Sequence, residues 1–181
     1  WQSQGKLEKV IMQQGVPVAG RQLSNLGALA KALGLDAEEM AADVVPCQVV
    51  STGAAHLLAP IRDREAVDRI SPDAKQLIDL LNEVGGEGCY VFSLDPRQPG
   101  ATAYARSFSP TVGISEDPAT GTAAGPLAAH LVAHGLVQPG VIKIEQGTAL
   151  GRTSIIEVDV DAGSVSVSGR GIVVASGAFS I

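Results

Sequence analysis

The residues best suited to chemistry in this 181-residue chain are two adjacent carboxylates, Glu116 and Asp117, set directly before Pro118-Ala119-Thr120-Gly121-Thr122. Proline fixes its own φ and drives the preceding residue toward extended backbone, so Asp117 sits on stiff chain. A carboxylate oriented in advance suits proton transfer or substrate anchoring. Thr120-Gly121-Thr122-Ala123 then reads as the opening of a helix. The first amides of a helix have no intrahelical partners, and the helix dipole adds partial positive charge there. The segment therefore predicts a seat for a carboxylate or another anion. Behind it, residues 122–134 form a helix that is apolar on nearly every face (Ala123, Ala124, Leu127, Ala128, Leu131, Val132), which predicts burial inside a curved sheet. Gly125 and Pro126 are tolerable because they fall near its start. A plainer reading of the same residues stands beside this one: a threonine-capped turn leading into a core helix.

Other polar residues give weaker signals. His130 and His134 share a helix face, but they lack the intervening pattern of a His-Glu-x-x-His zinc motif and any third ligand, so a structural role is expected and no metal. Their place in the last helical turn predicts a histidine cation stabilised by the dipole. Cys47 and Cys89 form no CxxC pair and read as buried, reduced thiols. Arg106 has the look of an ordinary strand-surface arginine, with balancing Glu116 or Asp117 as the alternative. Thr52-Gly53 reads as a β-bulge or a close backbone approach, and Arg152 as a turn residue. Residues 147–151 hold no Gly-Lys-Ser/Thr, which excludes a phosphate-binding P-loop.

Hydrophobic residues make up 45% and charged residues 18% of the chain, a balance that forms a packed core. The net charge of −6, with basic residues scattered singly, excludes a general nucleic-acid or anionic-membrane binder. No apolar run approaches the roughly 18 residues of a membrane helix. The first residues are polar rather than signal-like, so a cytoplasmic protein is expected.

The elements that must position the acidic segment follow from periodicity. Strands are predicted over 7–18, within 44–61 (two strands or one bulged strand), and over 89–94, 102–108, 141–146, 154–160, 164–168, 172–175 and 179–181. Helices are predicted over 24–35, 63–70, 72–84 and 122–134, with a short acidic turn at 36–42. Pooled, this is an α+β pattern in which antiparallel strands dominate.

Phe108-x-Pro110-x-x-Gly113-Ile114-x-Glu116-Asp117-Pro118-Ala119-Thr120-Gly121-Thr122-Ala123-Ala124-Gly125-Pro126-Leu127 resembles the signature of the phenazine-biosynthesis PhzF-like family, whose members have the diaminopimelate epimerase fold. The similarity extends to Val49-Val50-Ser51-Thr52-Gly53 with Leu57-Leu58, to Gln146-Gly147 followed by Gly151-Arg152-Thr153-Ser154, and to Gly169 and Gly177. It covers nearly the whole chain. The resemblance implies an α+β, diaminopimelate epimerase-like half: a mostly antiparallel sheet wrapped around a central apolar helix. It implies one carboxyl-terminal domain over 1–181, whose first and last strands pair with an amino-terminal domain.

By the same resemblance, Asp117 is the catalytic residue, and Gly121, Thr122 and Ala123 bind the carboxylate of a small metabolite. Thr122 stands where the family more often has Ser. No cofactor is used. The family's principal catalytic glutamate and a Gly-His-Pro element belong to an amino-terminal half, and neither occurs in this sequence, which begins with Trp1. Two explanations stand: another polypeptide supplies that half, or the chain is a piece of a longer protein. The expected activity is isomerisation or epimerisation by acid–base proton transfer, the alternative being a non-catalytic binding module that keeps the anion pocket. An apolar cleft face left uncovered predicts association, as a homo-oligomer such as a dimer.

Overall fold

The computed structural model describes Gln2–Ser3, Lys6–Leu7, residues 9–170 and Gly177. Two short strands, β1 (Gln2–Ser3) and β2 (Lys6–Leu7), pair with each other. There follow β3 (Val10–Gln13), β4 (Val18–Gln22), α1 (Leu26–Leu33), β5 (Gln48–Ser51), β6 (Ala55–Pro60), α2 (Arg64–Arg69) and α3 (Ala74–Val84). The second half holds β7 (Gly88–Ser93), β8 (Ala103–Ser109), β9 (Ile114–Asp117), α4 (Gly121–Ala133), β10 (Gly140–Gln146), β11 (Ser154–Asp161) and β12 (Ser164–Gly169).

The large sheet runs β3-β12-β11-β10-β8-β7-β6-β5-β4, with β9 pairing to β8 off this path. Among the described strands only β10 with β8 and β6 with β7 run parallel. β3 and β4 therefore stand at opposite ends of a nine-strand path, yet only Gln14–Pro17 joins them. Laid flat, nine strands would span about 38 Å between the outermost axes, whereas five extended residues reach at most about 18 Å. The sheet has to curl until its margins nearly meet. Two backbone bonds tie the connection to both margins: Gln14 N–H donates to the Val165 carbonyl at 2.9 Å, and Gly15 N–H to the Thr52 carbonyl at 2.8 Å.

Strand alternation assigns side chains to the two faces. Leu57, Ala59, Cys89, Val91, Tyr104 and Phe108 point outward and pack under α1, α2 and α3. Leu58, Tyr90, Phe92, Ala105, Ile144 and Val158 point inward onto α4. Helix α4 contacts β11 and β12 from one half of the sheet and β5 and β6 from the other. Every residue from Ala123 to Leu131 is buried, as an all-round apolar helix requires. Leu127 and Leu131 are both fully buried, so truncating either to alanine costs about 2–5 kcal/mol. The three outer helices start on side-chain caps, Asn25 to Ala28 N–H, Asp63 to Ala66 N–H and Asp73 to Gln76 N–H. Among the described residues no helix is long and apolar enough to cross a membrane.

The α+β class and most elements agree with the sequence reading, and the 44–61 region resolves into two strands. Three differences stand out. The expected strand over 7–18 breaks up, leaving β3 as Val10–Gln13. β4 and β9 were not anticipated: β4 is exposed throughout, and β9 lies in what reads as a stiff loop. Thr52-Gly53 belongs to the turn between β5 and β6 rather than to a bulge. The strands expected at 172–175 and 179–181 lie outside the described residues.

Candidate active site at the start of helix α4

The site is built on a fork in the sheet. β8 offers one edge to two strands: its first part pairs with β10 at Ala103, Tyr104 and Ala105, and its last part with β9 at Ser107 and Ser109. Directly opposed residues of an antiparallel pair project to the same face. Asp117, opposite Ser107, therefore points inward beside Tyr90, and its neighbour Glu116 points outward.

Glu116 is wholly taken up by structure. Arg106 Nε and Nη2 each donate to its carboxylate at 2.8 Å. Arg106 Nη1 donates to the carbonyls of Val67 (2.9 Å), Asp68 (3.2 Å) and Ile70 (2.9 Å) at the end of α2, where the last carbonyls lack a full set of helical partners. The guanidinium also lies 4.9 Å from the centre of the Phe108 ring. Arg106 is only 8% exposed, so the surface-arginine expectation fails, and the alternative pairing with Glu116 holds. A planar five-donor group is what such a convergence of acceptors requires.

Asp117 has a different neighbourhood. Its Oδ2 accepts from the Thr120 hydroxyl at 2.7 Å, and Oδ1 has a long contact of 3.5 Å from Ala119 N–H. Among the described residues it makes no salt bridge, and it is partly exposed. Gln146, fully buried at the end of β10, spans the fork: Nε2 donates to the Asp117 carbonyl (2.7 Å) and to Thr120 Oγ1 (3.0 Å). Its Oε1 accepts from Thr120 N–H (3.1 Å) and from the Tyr90 hydroxyl (2.7 Å). Burial, and then the negative charge of Asp117, push the Tyr90 phenol well above its ordinary pKa, so it stays a donor. Gly147 follows with φ 81°, and a Cβ there would fall 2.6 Å from the Pro118 carbonyl. Only glycine lets β10 come that close to the Asp117-Pro118 corner.

Thr120 occupies the N-cap position of α4 but makes no side-chain cap bond, because its hydroxyl is turned to Asp117. Ala123 and Ala124 N–H both donate to the Thr120 carbonyl, at 3.2 and 3.0 Å. Of the three amides expected to hold a carboxylate, that of Ala123 is thus already engaged, while those of Gly121 and Thr122 have no recorded acceptor among the described residues. The Thr122 side chain is exposed. A cavity of about 790 Å³ reaches this turn through Ala119 and Gly121, with Met12, Ile156, Val167 and Ser154 among its walls. The helix start is therefore open rather than plugged.

The inner face beside Asp117 also carries polar atoms without a partner among the described residues: Ser107 Oγ, fully buried, and both ring nitrogens of His56, which is 5% exposed. Burial lowers the His56 pKa, with Glu87 opposing, so the ring is neutral. The other histidines sit at the far end of α4. His130 Nε2 lies 3.1 Å from the Pro46 carbonyl, and the two imidazoles meet edge to face at 4.5 Å. Burial drives the His130 pKa down to about 4, against the Pro46 hydrogen bond and aided by His134. The expected cation is replaced by a neutral ring, because desolvation outweighs the helix dipole. No group of three candidate metal ligands occurs among the described residues. Cys47 and Cys89 are free and buried in the outer core, and burial pushes the Cys47 thiol up to about 12.

Sequence reading brought Asp117, Gly121, Thr122 and Ala123 to one place, and it missed Tyr90, Gln14 and the bridging part played by Gln146. The Gln146-Gly147 pair was visible as part of the family pattern, but its partners lie 26 to 56 positions away.

A curled mixed sheet with an apolar helix on its inner face is the fold class, and an acid at that helix's start marks the candidate site. The sequence pattern of the PhzC-PhzF family, phenazine biosynthesis-like proteins, matches residues 2–177, and the chain belongs to this family. It is 32% identical over 177 residues to an uncharacterized isomerase of Clostridium acetobutylicum, covering 92% of this chain and 58% of that protein. It is 32% identical over 183 residues to the trans-2,3-dihydro-3-hydroxyanthranilate isomerase of Pseudomonas aeruginosa, covering 96% of this chain and 59% of that enzyme. Among solved structures, a PhzF-family protein of Bacillus anthracis superposes with a TM-score of 0.78 at 21% identity, over 89% of this chain and 57% of that one. A protein of Pseudomonas aeruginosa described as a predicted epimerase gives 0.75 at 32% identity, over 93% and 59%. The chain thus spans a little under three fifths of the length of these relatives.

Proposed function

We propose that this chain forms one wall of the active site of a cofactor-independent isomerase or epimerase, which moves a proton within a small carboxylate-bearing metabolite. One observation carries the reading: the Thr120 hydroxyl, in position to cap α4, is spent on Asp117 instead, leaving the Gly121 and Thr122 amides without an acceptor among the described residues at a helix start that an open cavity reaches through Ala119 and Gly121. A merely capped turn would have the hydroxyl on those amides. In this reading the Gly121 and Thr122 amides, with Ala123 behind them, hold the substrate carboxylate, and the helix start steadies charge that develops next to it. Asp117, fixed by Thr120 and by the Gln146 bond to its backbone, exchanges a proton with the substrate.

The second proton-transfer group is a glutamate from an amino-terminal half, in the same polypeptide or a partner chain. Residues 1–181 then form the carboxyl-terminal, diaminopimelate epimerase-like half of a cytoplasmic enzyme. The exposed apolar residues of the β3–β4 margin, Val10, Ile11, Met12, Val16 and Val18, support association with that half or with a second copy. A stable monomer of this chain alone by sedimentation would count against it.

The test is solvent exchange. The enzyme is incubated in D2O with small carboxylates, including trans-2,3-dihydro-3-hydroxyanthranilate, the substrate named for the Pseudomonas relative. Deuterium incorporation should fall by a factor of about 10²–10⁴ in Asp117→Asn, with the melting temperature unchanged. Full activity in that variant defeats the proposal. The competing reading is a binding module without turnover, built on the same anion seat. It predicts saturable carboxylate binding and no exchange.

A further inference from the structure

Gln14 sits in the four-residue connection between the two margins of the curled sheet, and its side chain reaches past both of them to α4. Its Nε2 donates to the Gly121 carbonyl at 2.9 Å, and its Oε1 accepts from the Thr52 hydroxyl at 2.7 Å. With its backbone bond to Val165 on β12, one residue touches the β12 margin, the β5–β6 turn and the first residue of α4. The helix is shaped to receive it. A Cβ at Gly125 would fall 1.8 Å from Gln14 Oε1 and 2.7 Å from Cδ, closer than any side chain tolerates. Glycine inside a helix is otherwise a loss relative to alanine. Fixing a glutamine side chain also costs rotamer entropy. Both costs fall on one contact, and that contact holds the residue whose amide opens the anion seat.

We propose that Gln14 is a positioning residue for the anion-binding turn of α4, a role that rests on the carboxylate reading above. The Gly121 carbonyl and the Thr122 amide share one planar peptide unit, so a donor clamped on the carbonyl sets where that amide points, and the Gly121 amide precedes it by a single residue. Gln14 makes no contact with the substrate itself. It transmits the closure of the sheet margins to the helix start.

The 181-residue chain labelled with 15N is titrated with acetate while the Gly121 and Thr122 amide shifts are followed, and each variant is also melted thermally. Gln14→Ala should weaken acetate binding about tenfold, the equivalent of one hydrogen bond's worth of positioning. Thr52→Val, which cuts only the link to the margin, should weaken it less. Gly125→Ala should lower the melting temperature of the parent chain by displacing Gln14. In the Gln14→Ala background the same substitution should raise it, because alanine is the better helix former once the space is empty. Unchanged acetate affinity in Gln14→Ala, with a lower melting temperature, overturns the positioning role and leaves a seam-closing residue. No acetate response in the parent chain overturns the carboxylate reading itself, and the positioning role with it. Failure of the Gly125→Ala effect to reverse sign shows that Gln14 does not occupy that space, and overturns the proposal independently of any ligand.

Discussion

The two faces of the sheet treat adjacent polar residues in opposite ways. On the outer face, Glu116 is held by the Arg106 fork, and the fully buried Glu145 accepts from the Arg97 and Gln98 amides at 2.8 Å and the Thr148 hydroxyl at 2.6 Å. On the inner face their immediate neighbours, Asp117 and Gln146, are bound to each other's surroundings through Thr120, and the Asp117 carboxylate keeps one short bond from a hydroxyl. The outer acids are consumed in holding the fold, whereas the inner one is oriented but left available. A pair of acids in sequence is thus not a catalytic pair. Strand alternation gives one to the outer scaffold and one to the inner face.

Several substitutions sharpen or break this contrast. The largest effect is expected at Arg106, since Arg106→Met strands Glu116 and three carbonyls away from a cation. Urea unfolding should show a loss of about 3–5 kcal/mol; a loss below about 1 kcal/mol would place Arg106 among ordinary surface residues. Next is acidification. The folded-state pKa of His130, about 4 against an ordinary 6.5, means that the unfolded chain binds more protons between those values. Stability should therefore fall as pH drops from about 6.5 to about 4, by at most about 3 kcal/mol from this ring. His130→Gln should flatten that part of a plot of urea midpoint against pH.

Gln146→Leu should have an effect of the same order as acidification. It leaves the buried Thr120 N–H and Tyr90 hydroxyl without this acceptor, at about 1–3 kcal/mol for each. The same variant should cost activity, because the Asp117 backbone loses its tether. The smallest stability effect is expected at Asp117→Asn, within about 1 kcal/mol, since the side chain is partly exposed and locally bonded. If Asp117→Asn unfolds the protein as Arg106→Met does, the inner acid is structural too and the contrast between faces disappears.

What the sequence disclosed follows the range of the interactions involved. The helix predicted over 122–134 differs from α4 by one residue at each end, because its apolar run and the Gly135 stop are local signals. The Asp117–Thr120 bond spans three positions and belongs to a motif readable in one glance. Arg106 was misjudged because the carbonyls that bury it come from positions 36 to 39 earlier in the chain. β4 and β9 were missed for a related reason. Val18-Ala19-Gly20-Arg21-Gln22 has no alternation, and Ile114–Asp117 is four residues between a glycine and a proline; each becomes a strand through a neighbour it pairs with, β5 or β8. The neutral state of His130 was hidden for want of one fact, its burial against Pro46.

The pairing of β3 with β12 links Val10 to Gly169 and Gln13 to Ser166 across some of the longest separations the described chain offers. During synthesis β3 leaves the ribosome roughly 150 residues before the Ser164–Gly169 strand it pairs with, so Val10, Ile11 and Met12 lack that partner for the interval. Closing so large a loop slows this pairing and leaves the strand open, in the interval, to capture by chaperones or by other unfinished copies.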